Sequence, residues 1–73
     1  MSRYAFELNQ VVVATRELKT QGGTAFAIGD RFVVLRRLDG YRLRHLATGL
    51  VVHKVREAQL RALTGDEAEE PRT

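Results

Sequence analysis

The dipeptide Asp39-Gly40 stands between two runs in which apolar and charged residues alternate, residues 31–38 and 41–47, and Thr48-Gly49 separates the second run from a third, residues 50–55. Asp-Gly is favoured in two-residue hairpin turns because the central positions need positive φ, which aspartate tolerates and glycine adopts freely. Two tight turns in succession predict three antiparallel strands over 31–38, 41–47 and 50–55. A register fixed at the turns also decides which side chains share a face, since a slip of one residue would turn every side chain over.

Counted outward from Asp39-Gly40, Leu38 is set against Tyr41, Arg37 against Arg42, Arg36 against Leu43, Leu35 against Arg44 and Val34 against His45. From Thr48-Gly49, Ala47 is set against Leu50, His45 against Val52 and Arg44 against His53. One face then gathers Phe32, Val34, Leu38, Tyr41, Leu43, His45, Ala47, Leu50 and Val52, with Arg36 and Lys54 as its only charges, and is the expected core. The other gathers Arg31, Val33, Leu35, Arg37, Arg42, Arg44, Leu46, Val51, His53 and Val55, half of it basic and half apolar.

Upstream, Tyr4, Phe6 and Leu8 alternate with Ala5 and Glu7, and Asn9-Gln10 interrupts the pattern before Val11-Val12-Val13, which predicts a strand with a bend. Residues 16–29, with Gln21-Gly22-Gly23, show no clean period and read as a long irregular loop that re-enters order near Ala25-Phe26-Ala27. Residues 56–63 hold helix formers and predict a short helical turn leading to a last strand. The chain of 73 residues is expected to form one domain over residues 1–63, followed by an acidic, disordered tail over 64–73. With no cysteine, neither a disulfide nor a thiolate metal site is possible, so self-association is an available way of burying more surface. No apolar run approaches the roughly 18 residues of a membrane span, and Met1-Ser2-Arg3-Tyr4 opens no apolar signal core, so a soluble, cytoplasmic protein is expected.

Residues 24–63 resemble the SH3 pattern: Ala25-Phe26-Ala27-Ile28-Gly29-Asp30 after a long loop, Asp39-Gly40-Tyr41 and Thr48-Gly49 at the turns of a three-strand meander, then a one-turn helix near residues 55–60. The resemblance implies a small all-β, SH3-like five-stranded antiparallel barrel. True SH3 domains hold proline-rich peptides in an aromatic-lined groove. Here Val13-Ala14-Thr15-Arg16 stands where the family has its tyrosine-rich motif, the chain has no tryptophan, and Val55 falls where the family has its groove proline. The Gly29-Asp30-Arg31 segment and the spacing from Gly40-Tyr41 to Gly49 are also similar to the plasmid-encoded type II dihydrofolate reductases, tetrameric barrels of the same kind. Val51-Val52-His53-Lys54 replaces the stretch that carries that family's folate and cofactor contacts.

The body has only Glu7, Glu17, Asp30, Asp39 and Glu57 as acids, and no nucleophile with a base or phosphate-cradling loop stands out, so no enzyme, cofactor, metal or small-molecule substrate is expected. The register points His45 inward and His53 outward, which keeps them from sharing a metal. The outward face is more informative. Residues 1–63 carry eleven Lys and Arg against five acids, a net +6, whereas residues 64–73 carry four acids against Arg72. Like charges facing across strands destabilise a sheet by roughly a few tenths of a kcal/mol per pair, which a polyanion would relieve. Arg31, Arg37, Arg42 and Arg44, with His53 and Lys54 at the edge, are therefore expected to bind nucleic-acid backbone, as in a bacterial or phage accessory module. The alternative is a protein-interaction or homo-oligomerisation module that uses the apolar strip Val33, Leu35, Leu46 and Val51 of the same face.

Overall fold

The valine-rich and alternating segments pair as strands in the computed structural model, which describes residues 4–65. Seven strands follow in order: β1 (Val11–Ala14), β2 (Leu18–Lys19), β3 (Ala25–Phe26), β4 (Arg31–Arg37), β5 (Tyr41–His45), β6 (Val51–Val55) and β7 (Leu60–Ala62), with one 3-10 turn, Glu57–Gln59, ahead of β7. Five of them form a sheet in the order β6-β5-β4-β1-β7, and β2 pairs with β3 as a separate ribbon. All pairings are antiparallel, so the chain is all-β. The edges β6 and β7 are not hydrogen-bonded to each other, so the sheet does not close into a barrel. The 64–73 tail assignment falls, from residue 66 onward, outside the described residues.

The stretch expected to be an irregular loop holds the β2–β3 ribbon. Thr20 turns the chain by accepting from the Gly23 amide at 3.0 Å and donating to the Thr24 carbonyl at 2.8 Å. That turn brings Leu18 opposite Phe26, and both are buried. The alternation of Tyr4, Phe6 and Leu8 conversely makes no strand. Instead the Ala5 amide donates to Glu57 Oε1 at 2.8 Å and to the Tyr41 hydroxyl at 3.1 Å, and the Phe6 amide reaches the same hydroxyl at 3.3 Å. Asn9, at φ 66°, then turns the chain into β1.

Around β5 the registers differ from those counted from the turns. Arg37 pairs with Tyr41, so Leu38-Asp39-Gly40 form a three-residue turn with Leu38 68% exposed. A bulge at Leu35 then sets Arg36 against Arg42, Val34 against Leu43, Val33 against Arg44 and Phe32 against His45. On the other side, residues 46–49 form a four-residue turn, with the His45 amide donating to the Leu50 carbonyl at 2.7 Å. Leu43 pairs with Val52 and Arg44 with Val51, and a second irregularity, at Lys54 with φ 56°, returns Val55 to Tyr41. Leu38, Ala47 and Leu50, expected in the core, are exposed, and Val55, expected outside, is buried. The reasons are local: Leu38 and Ala47 lie in the turns and Leu50 just before β6, outside the strands, whereas the extra residue in β6 reverses the in-out order beyond it and turns Val55 inward.

The core holds Phe6, Val12, Ala14, Leu18, Phe26, Phe32, Val34, Tyr41, Leu43, Val52, Val55 and Leu60. Its aromatic rings form two groups. Phe26, Phe32 and His45 pack together, with Phe26 stacked on the imidazole at 4.5 Å, while Tyr4 and Phe6 each meet Tyr41 edge-on. Gly40, at φ 92°, lies where the β4–β5 turn meets β6: a Cβ there would stand 3.0 Å from Lys54 Cα and 3.1 Å from its carbonyl carbon. Gly40→Ala therefore combines a backbone clash with a left-handed φ and is expected to destabilise the fold by about 2 kcal/mol or more. Gly49→Ala, at φ 77° in open space, carries only the conformational part, about 1 kcal/mol. Urea denaturation of the two variants checks this order.

Candidate functional site

Clean alternation along β5 builds the outer face: Tyr41, Leu43 and His45 are buried, and Arg42 and Arg44 between them are exposed. Directly paired residues share a face. One row therefore runs Val11, Val33, Arg44, Val51 across four strands, and the next places Arg36 opposite Arg42. Arg42 Nε donates to His53 Nδ1 at 3.2 Å, which fixes the neighbouring imidazole on the same side. Among the described residues, Arg36, Arg42 and Arg44 make no ion pair with a carboxylate. Two arginines thus stand opposite each other on adjacent strands, with no carboxylate paired to them among the described residues.

The sequence-predicted site residues fall into three groups. Arg42, Arg44 and His53 are exposed together on this face, flanked by half-buried Val33 and Val51. Leu35 (39% exposed) is the bulged residue, and Leu46 (47% exposed) leaves β5 with its amide bonded to the Arg31 carbonyl at 3.1 Å. Arg31 is half-buried at the start of β4, opposite Val13, and Lys54 is exposed at the β6 edge. Arg37 leaves the face: its guanidinium lies 5.4 Å from the Tyr4 ring centroid and its Nη1 donates to the Phe6 carbonyl at 3.4 Å. Arg36, assigned by the simple register to the core face, takes its place beside Arg42. The exchange follows from the bulge at Leu35, and no residue type there announces one.

Two polar networks close the ends of the core. His45 is buried, with Nε2 2.9 Å from Asp30 Oδ2 and Nδ1 2.9 Å from Thr48 Oγ1. The Thr48 amide donates to Nδ1 at 3.3 Å, and the Leu50 amide donates to Thr48 Oγ1 at 3.3 Å. These donors leave Nδ1 as acceptor and assign the Nε2–H tautomer, with Nε2–H donating to Asp30. Both ring nitrogens are occupied, so this histidine holds the 46–49 turn to the segment before β4. At the other end the Tyr41 hydroxyl donates to Glu57 Oε1 at 2.9 Å. Burial first, and then the hydrogen bond to the Glu57 carboxylate, raise the Tyr41 pKa above its ordinary value.

An open groove of about 320 Å³ lies between β2 and β6, lined by Glu17, Lys19, His53, Lys54 and Gln59 among others. Among the described residues no three His, Cys, Asp or Glu side chains stand together as metal ligands, and no helix is long and apolar enough to cross a membrane. No protein-family model, curated protein or solved structure matches the chain. The outer face therefore has to be interpreted from its own chemistry.

Asp30→Ala leaves the buried His45 Nε2–H without its acceptor and is expected to cost about 1–3 kcal/mol, with Asp30→Asn, which keeps an acceptor oxygen, losing less; chemical denaturation measures both. Tyr41 gives a pH prediction. Its folded pKa is raised, so the stability that neutral Tyr41 contributes is complete below the unfolded value of about 10 and is lost as pH rises through the folded value. Tyrosinate absorbance of Tyr41 should accordingly rise in step with loss of the folded-state circular dichroism signal, and Tyr41→Phe should remove that part of the high-pH loss of stability.

Proposed function

We propose that the chain is a small non-catalytic module that binds the phosphate backbone of nucleic acid through Arg36, Arg42 and Arg44, with His53 beside them and Lys54 at the edge. The observation that carries the reading is the pairing of Arg36 directly opposite Arg42, next to Arg44, on an exposed sheet face without carboxylate partners among the described residues. Guanidinium groups bind phosphate oxygens bidentately, and a polyanion removes the repulsion between them. Exposed Leu35 and Leu46 offer apolar contact to sugars. The exposed part of the face carries no aromatic ring other than the His53 imidazole for base stacking, which favours backbone contacts over sequence recognition. We also infer an SH3-like relationship for the fold, supported by the last strand lying beside the first, the central three-strand meander and the single 3-10 turn before the last strand.

A second reading, self-association through Val33, Leu35, Leu46 and Val51, is favoured by the exposure of the two leucines. It ranks below the first because Arg44 lies between Val33 and Val51, and a second copy laid on that strip would bring cationic faces together.

Fluorescence anisotropy with a short DNA duplex and a single-stranded RNA, across a salt series, tests the proposal. Three phosphate contacts predict a slope of log K on log salt of about −2.7 for duplex DNA, and Arg44→Gln should reduce its magnitude by about 0.9. Absence of binding at low salt would remove the nucleic-acid reading. A concentration-dependent dimer on sizing, abolished by Leu35→Ser, would establish the second instead.

A further inference from the structure

We infer that the cationic outer face has an internal competitor, the acidic segment 66–73 of the same chain, so that phosphate binding is autoinhibited. The inference rests on the reading of Arg36, Arg42 and Arg44 as the anion-binding group, and it names what occupies them when no nucleic acid is present. Three features support it: where the described residues end, how far the remaining chain can extend, and what charge it carries.

The last strand, β7, forms one edge of the sheet, next to β1 and two places from β4. Ala62 pairs with Val12, and the chain continues through half-buried Leu63 beside the Val11 end of the outer row. From β7 to β5 there are three strand spacings, about 14 Å at the usual separation. Beyond the described residues, the eight positions 66–73 extend to about 29 Å at most. The segment therefore spans the face with length to spare, and its acids can reach Arg44 and the Arg36–Arg42 pair.

Residues 66–73 contain Asp66, Glu67, Glu69 and Glu70 against Arg72 alone. The outer face presents three arginines with no carboxylate partner among the described residues. Carboxylates pair with guanidinium groups in the same bidentate geometry as phosphates, so both ligands compete for the same donors. A short tether holds the acids at an effective concentration in the millimolar range, enough for contacts that would be negligible between separate molecules. A second copy of the face is the wrong occupant because it brings like charge, whereas this segment brings the opposite charge.

The test uses the full chain and a charge-neutralised variant, D66N/E67Q/E69Q/E70Q, which keeps length and β7 unchanged. Arginine Nε–Hε NMR shifts of Arg36, Arg42 and Arg44 are compared without nucleic acid at low ionic strength, and duplex affinity is then measured by anisotropy. Docking predicts altered Nε shifts at these arginines in the variant and, if the segment occupies the face nine-tenths of the time, about tenfold tighter apparent binding. Both differences should fade as salt rises. Tighter binding with unchanged Nε shifts is the general effect of a net charge raised by four, and it would overturn docking while leaving the nucleic-acid reading in place. Altered shifts in a protein that binds no nucleic acid in either form would uphold docking and remove the nucleic-acid reading.

Discussion

The β4–β5 turn presses Gly40 against the backbone of β6 at Lys54 and Val55, and the composition of both faces follows from that contact. A side chain at residue 40 would force the strands apart, so the close approach exists only because the turn ends in glycine. Held there, Lys54 takes a left-handed conformation, Val55 returns to the core opposite Tyr41, and His53 remains outside beside Arg42. On the other side of β5, the bulge at Leu35 does the same for β4, sending Arg36 outward and Arg37 toward Tyr4 and Phe6. Between these irregular neighbours β5 stays regular, and its two arginines form the centre of the cationic face.

β5 is also the part of the fold most legible in the sequence. Its strict alternation gives the inward and outward residues without any knowledge of partners, and the valine run of β1, the turn before β7 and the all-β class are readable in the same way. The bulges are not. Leu35 and Lys54 are neither glycine nor asparagine, and nothing in their neighbourhood distinguishes a bulged strand from a regular one, so counting from the turns exchanged Arg36 with Arg37 and misplaced Leu38 and Val55. Hydrophobic alternation also misleads at Tyr4, Phe6 and Leu8, where the burial of Phe6 is real but the backbone is held by the Tyr41 hydroxyl and the Glu57 carboxylate instead of a neighbouring strand. Of the β2–β3 ribbon only the return to order near Ala25-Phe26-Ala27 is legible, because two residues per strand are too few to show a period or a partner.

The polar interactions are placed where regular pairing stops. Tyr41 and Glu57 hold the segment before β1, and Asp30, His45 and Thr48 hold the turn between β5 and β6. No buried side-chain nitrogen or oxygen among the described residues lacks a partner. In a domain with so small a core, an unpaired buried group would consume a large part of a total stability of about 0.05–0.15 kcal/mol per residue. These networks therefore matter to the fold in proportion to how little apolar surface there is to offset their loss.

The irregularity at Lys54 has a further effect on how the molecule meets its neighbours. β6 is an outer strand of the sheet, and a straight outer strand invites another chain to add itself by backbone pairing. Here the extended run is interrupted after three residues by a left-handed, positively charged position, so an incoming strand finds only Val51–Val52–His53 to pair with. Growth of the sheet from that side is blocked by the same kink that orients the face, and encounters are directed to the broad surface, where side chains rather than main chain make the selection.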